Sequence, residues 1–125
     1  MTERTLSTGS TLLLPGTHQN PDNRHLCIVL NDPRKEAGNQ ALYVPVITVR
    51  RKFDATCILN VGDHPFIRHP SCVHYATMSQ RSEAHLLKVG TIQEPLREEV
   101  LRRVLEGVTA SPHSPPWAKK FFLDD

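Results

Sequence analysis

The sequence predicts a mainly β (β plus α) protein: a small, strongly bent antiparallel sheet or barrel of about five to six strands, followed by a C-terminal amphipathic helix. Short apolar runs separated by clusters of turn-forming residues occupy positions 10–90. Apolar residues then recur at helical spacing. No segment between the strands suits a long parallel crossover, so the strands are expected to be antiparallel.

Three strands are predicted in the first half of the chain. They are "TLLLP" (11–15), "HLCIVLN" (25–31) and "ALYVPVITV" (41–49), the last giving the strongest signal. Charged or turn-forming loops separate them. Pro45 has no N–H to give to a ladder, so it predicts a bulge or an edge within the third strand.

The second half is less regular. "ATCILN" (55–60), "SCVHYAT" (71–77) and "AHLLKVG" (84–90) are predicted to be extended. "GDHPFIRHP" (62–70) is broken by one glycine and two prolines, and therefore predicts a long turn. The strands and turns together fit a small bent sheet.

An amphipathic helix is predicted over about 94–108, with Pro95 in its first turn. Its apolar positions are Leu96, Val100, Leu101, Val104, Leu105 and Val108. We expect one domain over 1–125: the barrel at about 10–90, this helix, and a proline- and aromatic-rich tail at 109–125. The rings of that tail are expected to dock on the barrel or on a partner.

Composition permits an anionic partner without demanding one. The net charge is +2, and seven histidines add positive charge below about pH 6.5. Three cysteines and no signal peptide predict reduced thiols and a cytoplasmic protein. No apolar run is long enough to span a bilayer. We expect no cofactor and no membrane partner.

The stretch "GDHPFIRHPSCVHY" (62–75) concentrates His64, His69, His74 and Cys72. Three interpretations stay open. The histidine spacing is compatible with zinc, although no CxxC pair is present. One or more histidines could serve as acid, base or phosphate ligand. The third interpretation is a turn whose polar side chains cap backbone groups or face water. The cysteines are expected to be small buried residues.

Several motifs, taken in order, resemble the MazF/PemK/Kid family of plasmid-maintenance and growth-inhibitor toxins. These are "TLLLPGT", "RHLCIVLND", "ALYVPVITVRRK" and "SCVHYA", followed by the closing helix. The resemblance covers roughly residues 10–108. It implies an SH3-like barrel, a homodimer and a cytoplasmic toxin of a toxin–antitoxin pair. It further implies metal-independent endoribonuclease cleavage of single-stranded RNA, and neutralisation by a cognate antitoxin protein that lies over the RNA groove.

The resemblance implies a catalytic set, carried over by position. The distance along the chain from Arg24 to "VLN" is one residue longer than the distance from the family's arginine to its matching motif. If the register is kept strictly, His25 takes the position of the family's arginine. Thr48 matches the hydroxyl residue that ends the "VPxT" strand, while Ile47 replaces the usual first hydroxyl. Kid-like members carry an acidic residue where this chain has His74 and its neighbour, so His74 is the expected replacement for the missing base.

Supporting residues complete the prediction. Arg50, Arg51 and Lys52 are expected to clamp a phosphate, and Tyr75 and His69 to contact the substrate. The alternatives are that the basic cluster only protects a sheet edge and that Arg24 and His25 only end a solvated loop.

Two further expectations concern the aromatic residues and the function. An exposed ring among Tyr43, Phe53, Phe66 and Tyr75 would suit base stacking, whereas Tyr43 and Phe53 are rather expected in the core. The alternative function is a non-catalytic SH3-like barrel that binds a protein partner, such as an antitoxin or a target enzyme, as CcdB does.

Overall fold

A single antiparallel sheet of seven strands forms the framework in the computed structural model, which describes residues 5–15, 24–49 and 53–123. Three α-helices accompany it within these ranges. The strands are β1 (Thr11–Leu14), β2 (His25–Val29), β3 (Gln40–Thr48), β4 (Ile58–Leu59), β5 (Ser71–Val73), β6 (Ser79–Ser82) and β7 (Thr91–Gln93). The helices are α1 (Glu83–Val89), α2 (Glu98–Ala110) and α3 (Pro116–Leu123).

The strands follow the order β4-β5-β3-β2-β1-β7, and β6 also pairs with β3. The two ends of this order, β4 and β7, do not pair with each other within the described part of the chain. The predicted β-plus-α class is therefore confirmed, but the strands form an open sheet where the sequence predicted a possible closed barrel.

The longest strand, β3, organises the sheet by changing partners along its length. One of its edges pairs with β2, in the register Val29↔Tyr43 to Cys27↔Pro45. The other edge pairs first with β6, up to Tyr43, and then with β5 from Val46. The Pro45 carbonyl accepts a hydrogen bond from the His74 N–H at 2.9 Å. Pro45 thus lies where the partner changes, which explains why a missing N–H is tolerated there.

Side-chain alternation gives the sheet two apolar faces. On one face Leu26, Ile28, Val44 and Val46 pack in the larger core, which α2 covers. On the other face lies a smaller core, closed by the N-terminal segment and α1. The residues of this smaller core are Leu6, Leu12, Leu14, Cys27, Val29, Ala41 and Leu86.

One predicted strand is wrong, and two are only partly present. Residues 83–89 form a helix, because the Ser82 hydroxyl accepts a hydrogen bond from the His85 N–H (3.2 Å) and caps its start. Residues 71–77 form a strand only as far as Val73, after which Tyr75–Thr77 make a 3-10 turn. The predicted strand at 55–60 is reduced to two residues.

The helix predicted from apolar spacing in the C-terminal part of the chain is present as α2. Helix α2 begins at Glu98, so Pro95 lies before the helix instead of in its first turn. The side chains of Phe121 and Phe122 pack against the larger core, while Trp117 stays 44% exposed. None of the helices in the described ranges is long and apolar enough to cross a membrane.

Candidate functional site: a basic groove at the end of the sheet

Three neighbouring strands change from apolar to polar at the same end of the sheet. The buried Val46 is followed two residues later by Thr48, and the buried Val73 is preceded by Ser71. Residues two apart share a face of a strand. Thr48 and Ser71 lie opposite each other in the β3–β5 register. Both therefore extend the face of the larger core beyond its apolar part.

The same change occurs at the start of β2, because Arg24, immediately before the strand, precedes the buried Leu26 by two positions. Pairing between β2 and β3 ends at Cys27↔Pro45, while β3 continues to Thr48 with β5 alone. The space next to this end of β3 is a groove of about 640 Å³. Its polar lining is Arg24, His25, Thr48, Arg68, His69 and Ser71, and its apolar lining is Leu26, Val46, Ile47, Phe66 and Ile67.

The loop between β4 and β5 forms one wall of the groove. Ile67 is buried in the larger core and anchors the loop to it. Phe66, Arg68 and His69 are exposed around it. The Ser71 hydroxyl donates a hydrogen bond to the His69 carbonyl (2.9 Å), which holds the end of this loop to β5.

The groove is positively charged. No acidic residue is among its described lining residues. Within the described chain, neither Arg24 nor Arg68 forms an ion pair with a carboxylate; the Arg24 guanidinium donates to the Thr91 hydroxyl at 3.1 Å. By contrast, Arg34, Arg97, Arg102 and Arg103 are all paired with carboxylates. Among the described residues, no carboxylate therefore competes with an anion for the two groove arginines.

Four of the predicted site residues meet in this groove: Arg24, His25, Thr48 and His69. The predicted phosphate clamp, Arg50, Arg51 and Lys52, lies outside the described residues.

His74 does not reach the groove, contrary to its predicted place in the catalytic set. It lines a separate cavity of about 260 Å³ with Phe53, Asp54, Ala76 and His113. The physical reason is alternation: Ser71 faces the groove, and a residue three positions further along an extended chain faces the opposite way. The His74 Nδ1 lies 2.7 Å from the Thr77 hydroxyl.

The carboxylate beside His74 is structural. Burial opposes ionisation of Asp54, but hydrogen bonds from the hydroxyls of Ser111 and Thr56 outweigh it and lower the pKa of Asp54 below its ordinary value. These bonds, together with one from the Thr56 N–H (3.0 Å), occupy the carboxylate. Asp54 therefore ties the segment after β3 to the end of α2, where Ser111 lies.

Tyr75 is also wrongly predicted as a substrate contact. Its side chain is fully buried, and its hydroxyl donates to the Val104 carbonyl of α2 at 2.7 Å. Burial raises the pKa of this hydroxyl. The ring is in close contact with the position a side chain would take at Gly107, so Tyr75 supports the packing of α2 on the sheet.

The cysteines are buried, as predicted. Burial raises the pKa of Cys27 to about 12, which keeps it a protonated thiol. Among the residues with described positions, no three His, Cys, Asp or Glu side chains are grouped to hold a metal ion. His64, one of the three clustered histidines, is buried and bonded to backbone groups, in agreement with the turn interpretation.

Arg68, Ser71 and Phe66 line the groove without having been assigned to the site. Extending the alternation of β5 back from Val73 would have found Ser71. Arg68 and Phe66 had a weaker signal, an arginine and an aromatic ring inside a proline-broken turn. Phe53, predicted to be in the core, is 40% exposed.

No model of a known protein family matches this chain, and no curated protein matches its sequence.

Proposed function

We propose that this chain is a toxin of the MazF/PemK type that binds single-stranded RNA in the basic groove and cleaves it. The observation that carries the proposal is the grouping of Arg24, His25, Thr48 and His69 with Arg68 in one groove that has no acid among its described lining residues. Phosphate contacts from arginine and hydroxyl side chains position a nucleic-acid backbone.

The side chains present support acid–base cleavage of RNA. The ribose 2′-hydroxyl attacks the adjacent phosphorus and forms a 2′-O–P bond, while the P–O5′ bond breaks. One of His25 and His69 takes the 2′-hydroxyl proton, and the other gives a proton to the leaving 5′-oxygen. Arg24 and Arg68 stabilise the charge that develops on the phosphorane. The products are a 2′,3′-cyclic phosphate and a 5′-hydroxyl, and no redox partner is required.

The remaining features of the resembled family belong to the same proposal. We infer that the open sheet, in which β3 is shared by two groups of strands, is related to an SH3-like barrel. A homodimer and a cognate antitoxin that covers the groove are the partners this implies. An acidic antitoxin segment would suit Arg24 and Arg68, which have no carboxylate partner among the described residues.

The test is a cleavage assay on a mixed pool of RNA in the presence of EDTA. The wild-type chain should produce fragments with 2′,3′-cyclic phosphate ends and leave the matching DNA intact, because DNA lacks the 2′-hydroxyl. His25→Ala and His69→Ala should each lower the rate at least about 100-fold. His85→Ala, an exposed histidine on α1, is the matched control. Intact RNA together with no growth arrest on expression would overturn the proposal.

A second candidate is a groove that binds protein and cleaves nothing. It is favoured by the end of β3, where Ile47 and Thr48 pair with β5 on one edge and with no described strand on the other. An extended peptide can add to such an edge. A purified acidic partner whose binding requires Arg24 and Arg68, combined with intact RNA, would select this function.

A further inference from the structure

Phe66 is an aromatic ring presented to the basic groove. It is 41% exposed, although the next residue, Ile67, is only 5% exposed. Phenylalanine usually buries its ring. An exposed ring in a basic groove, with Arg68 two residues away and Arg24 also among the lining residues, is a combination that suits single-stranded nucleic acid.

The backbone that carries this ring is held by His64. The Phe66 N–H donates to His64 Nδ1 (3.0 Å), so the ring proton of His64 lies on Nε2. His64 is 3% exposed, and its Nε2 donates to the Glu94 carbonyl at 2.6 Å. The Thr11 hydroxyl donates to the same carbonyl (2.7 Å) and lies 3.1 Å from Nε2.

One further bond closes this turn, from the Ile67 N–H to the His64 carbonyl at 3.0 Å. His64 thereby links the turn to β1 and to the segment after β7. The turn is fixed before any ligand arrives, which reduces the entropy lost when a ligand binds to it.

We propose that Phe66 is the stacking platform for one base of a single-stranded RNA chain, with the phosphate next to that base held by Arg68. This inference rests on the proposed RNA function and specifies how the groove binds its substrate. Since every base has a π-face, Phe66 supplies affinity without choosing the sequence. His64 is a positioning residue in this arrangement, because it acts only through the backbone of Phe66.

The experiment measures equilibrium binding of a short, non-cleavable 2′-O-methyl RNA oligonucleotide by fluorescence anisotropy. Phe66→Ala should weaken binding about 5- to 150-fold, Phe66→Leu should lose most of the same affinity, and Phe66→Trp should retain it. Phe53→Ala removes an equally exposed ring outside the groove and should leave binding unchanged.

A second measurement changes the RNA in place of the protein. A series of oligonucleotides is used, each with one abasic residue at a different position. One member of the series should bind the wild-type chain more weakly than the intact RNA does. The same member should bind Phe66→Ala with the same affinity as the intact RNA. Equal binding by wild type and Phe66→Ala, while Arg68→Ala still weakens it, would overturn the stacking proposal and leave the RNA function standing. No RNA binding by the wild-type chain would overturn both.

Discussion

Thr48 and Ser71 lie directly opposite each other on β3 and β5, each two positions from a buried valine on the same face of the sheet. This pair marks the point where the larger core ends and the basic groove begins. The hydroxyls are held by paired strands, whereas Arg68 and His69 come from the adjacent turn. Sites built on strands hold their side chains more precisely than sites built on loops.

The salt dependence of RNA binding tests the two arginines. Arg24→Ala and Arg68→Ala should each weaken binding of a single-stranded oligonucleotide. Each should also lower the slope of log K against log salt concentration by about 0.7, because one phosphate contact is lost. Titrations at several salt concentrations measure this slope. Arg102→Ala, an exposed arginine on α2, is the control; a slope that changes equally in all three variants would contradict the assignment.

The placement of His74 gives a prediction opposite to that of the sequence. His74→Ala should leave the cleavage rate within about twofold of wild type, because its side chain lies in a different cavity from the groove. His25→Ala, measured in the same assay, should be strongly impaired. A loss in His74→Ala as large as that in His25→Ala would mean that the chemistry occurs at the cavity beside Asp54.

Tyr75 and Gly107 should be energetically coupled. Gly107→Ala should lower the free energy of unfolding by about 1–3 kcal/mol, because the added methyl meets the Tyr75 hydroxyl and ring. Tyr75→Phe alone should cost about 1 kcal/mol through the lost bond to Val104. Gly107→Ala should lower the free energy of unfolding less in the Tyr75→Phe background than in the wild-type chain. Urea denaturation measures all three values, and simple additivity would refute the close contact.

Asp63 makes stability depend on pH. Burial opposes its ionisation, but the Asn60 N–H and the guanidinium groups of Arg103 and Arg97 outweigh burial and lower the pKa of Asp63. A lowered folded-state pKa gives stability that is present above the unfolded-state value of about 3.9 and is lost as pH falls through the folded-state value.

Asp63→Asn should therefore lower the free energy of unfolding by about 1 kcal/mol at pH 7 and by much less near pH 3. Denaturation at both pH values measures this. Glu99→Gln is the control, since Glu99 also pairs with Arg97 but is largely exposed, and should change stability little. A cost for Asp63→Asn that stays constant down to pH 3 would show that the pairing is not electrostatic.

The sequence predicted the parts of the fold that follow from local pattern. Strands β1 to β3 and helix α2 have clear apolar periodicity, and the structure has them with similar bounds. Helix α1 was missed because "AHLLKV" gives no clear period. Its capping serine and the Gly90 that follows it were the available signals.

The groove was only partly predictable for a different reason. Arg24 and Thr48 follow from motif position and strand alternation. Phe66 and Arg68 depend on how His64 contacts Thr11 and the Glu94 carbonyl, residues far away in the sequence. His74 was assigned to the site although alternation places it on the face opposite to Ser71. Sequence spacing alone does not reveal which contacts fix a turn.

NMR titration of the labelled chain with a short non-cleavable RNA shows directly whether single-stranded RNA binds in the basic groove. If it does, the amide signals of Leu26, Thr48, Phe66, Arg68 and Ser71 should shift together with one dissociation constant. Those of Ala76 and His113, at the cavity beside His74, should remain in place. Shifts confined to that second cavity, or no shifts at all, would mean that the basic groove does not bind RNA.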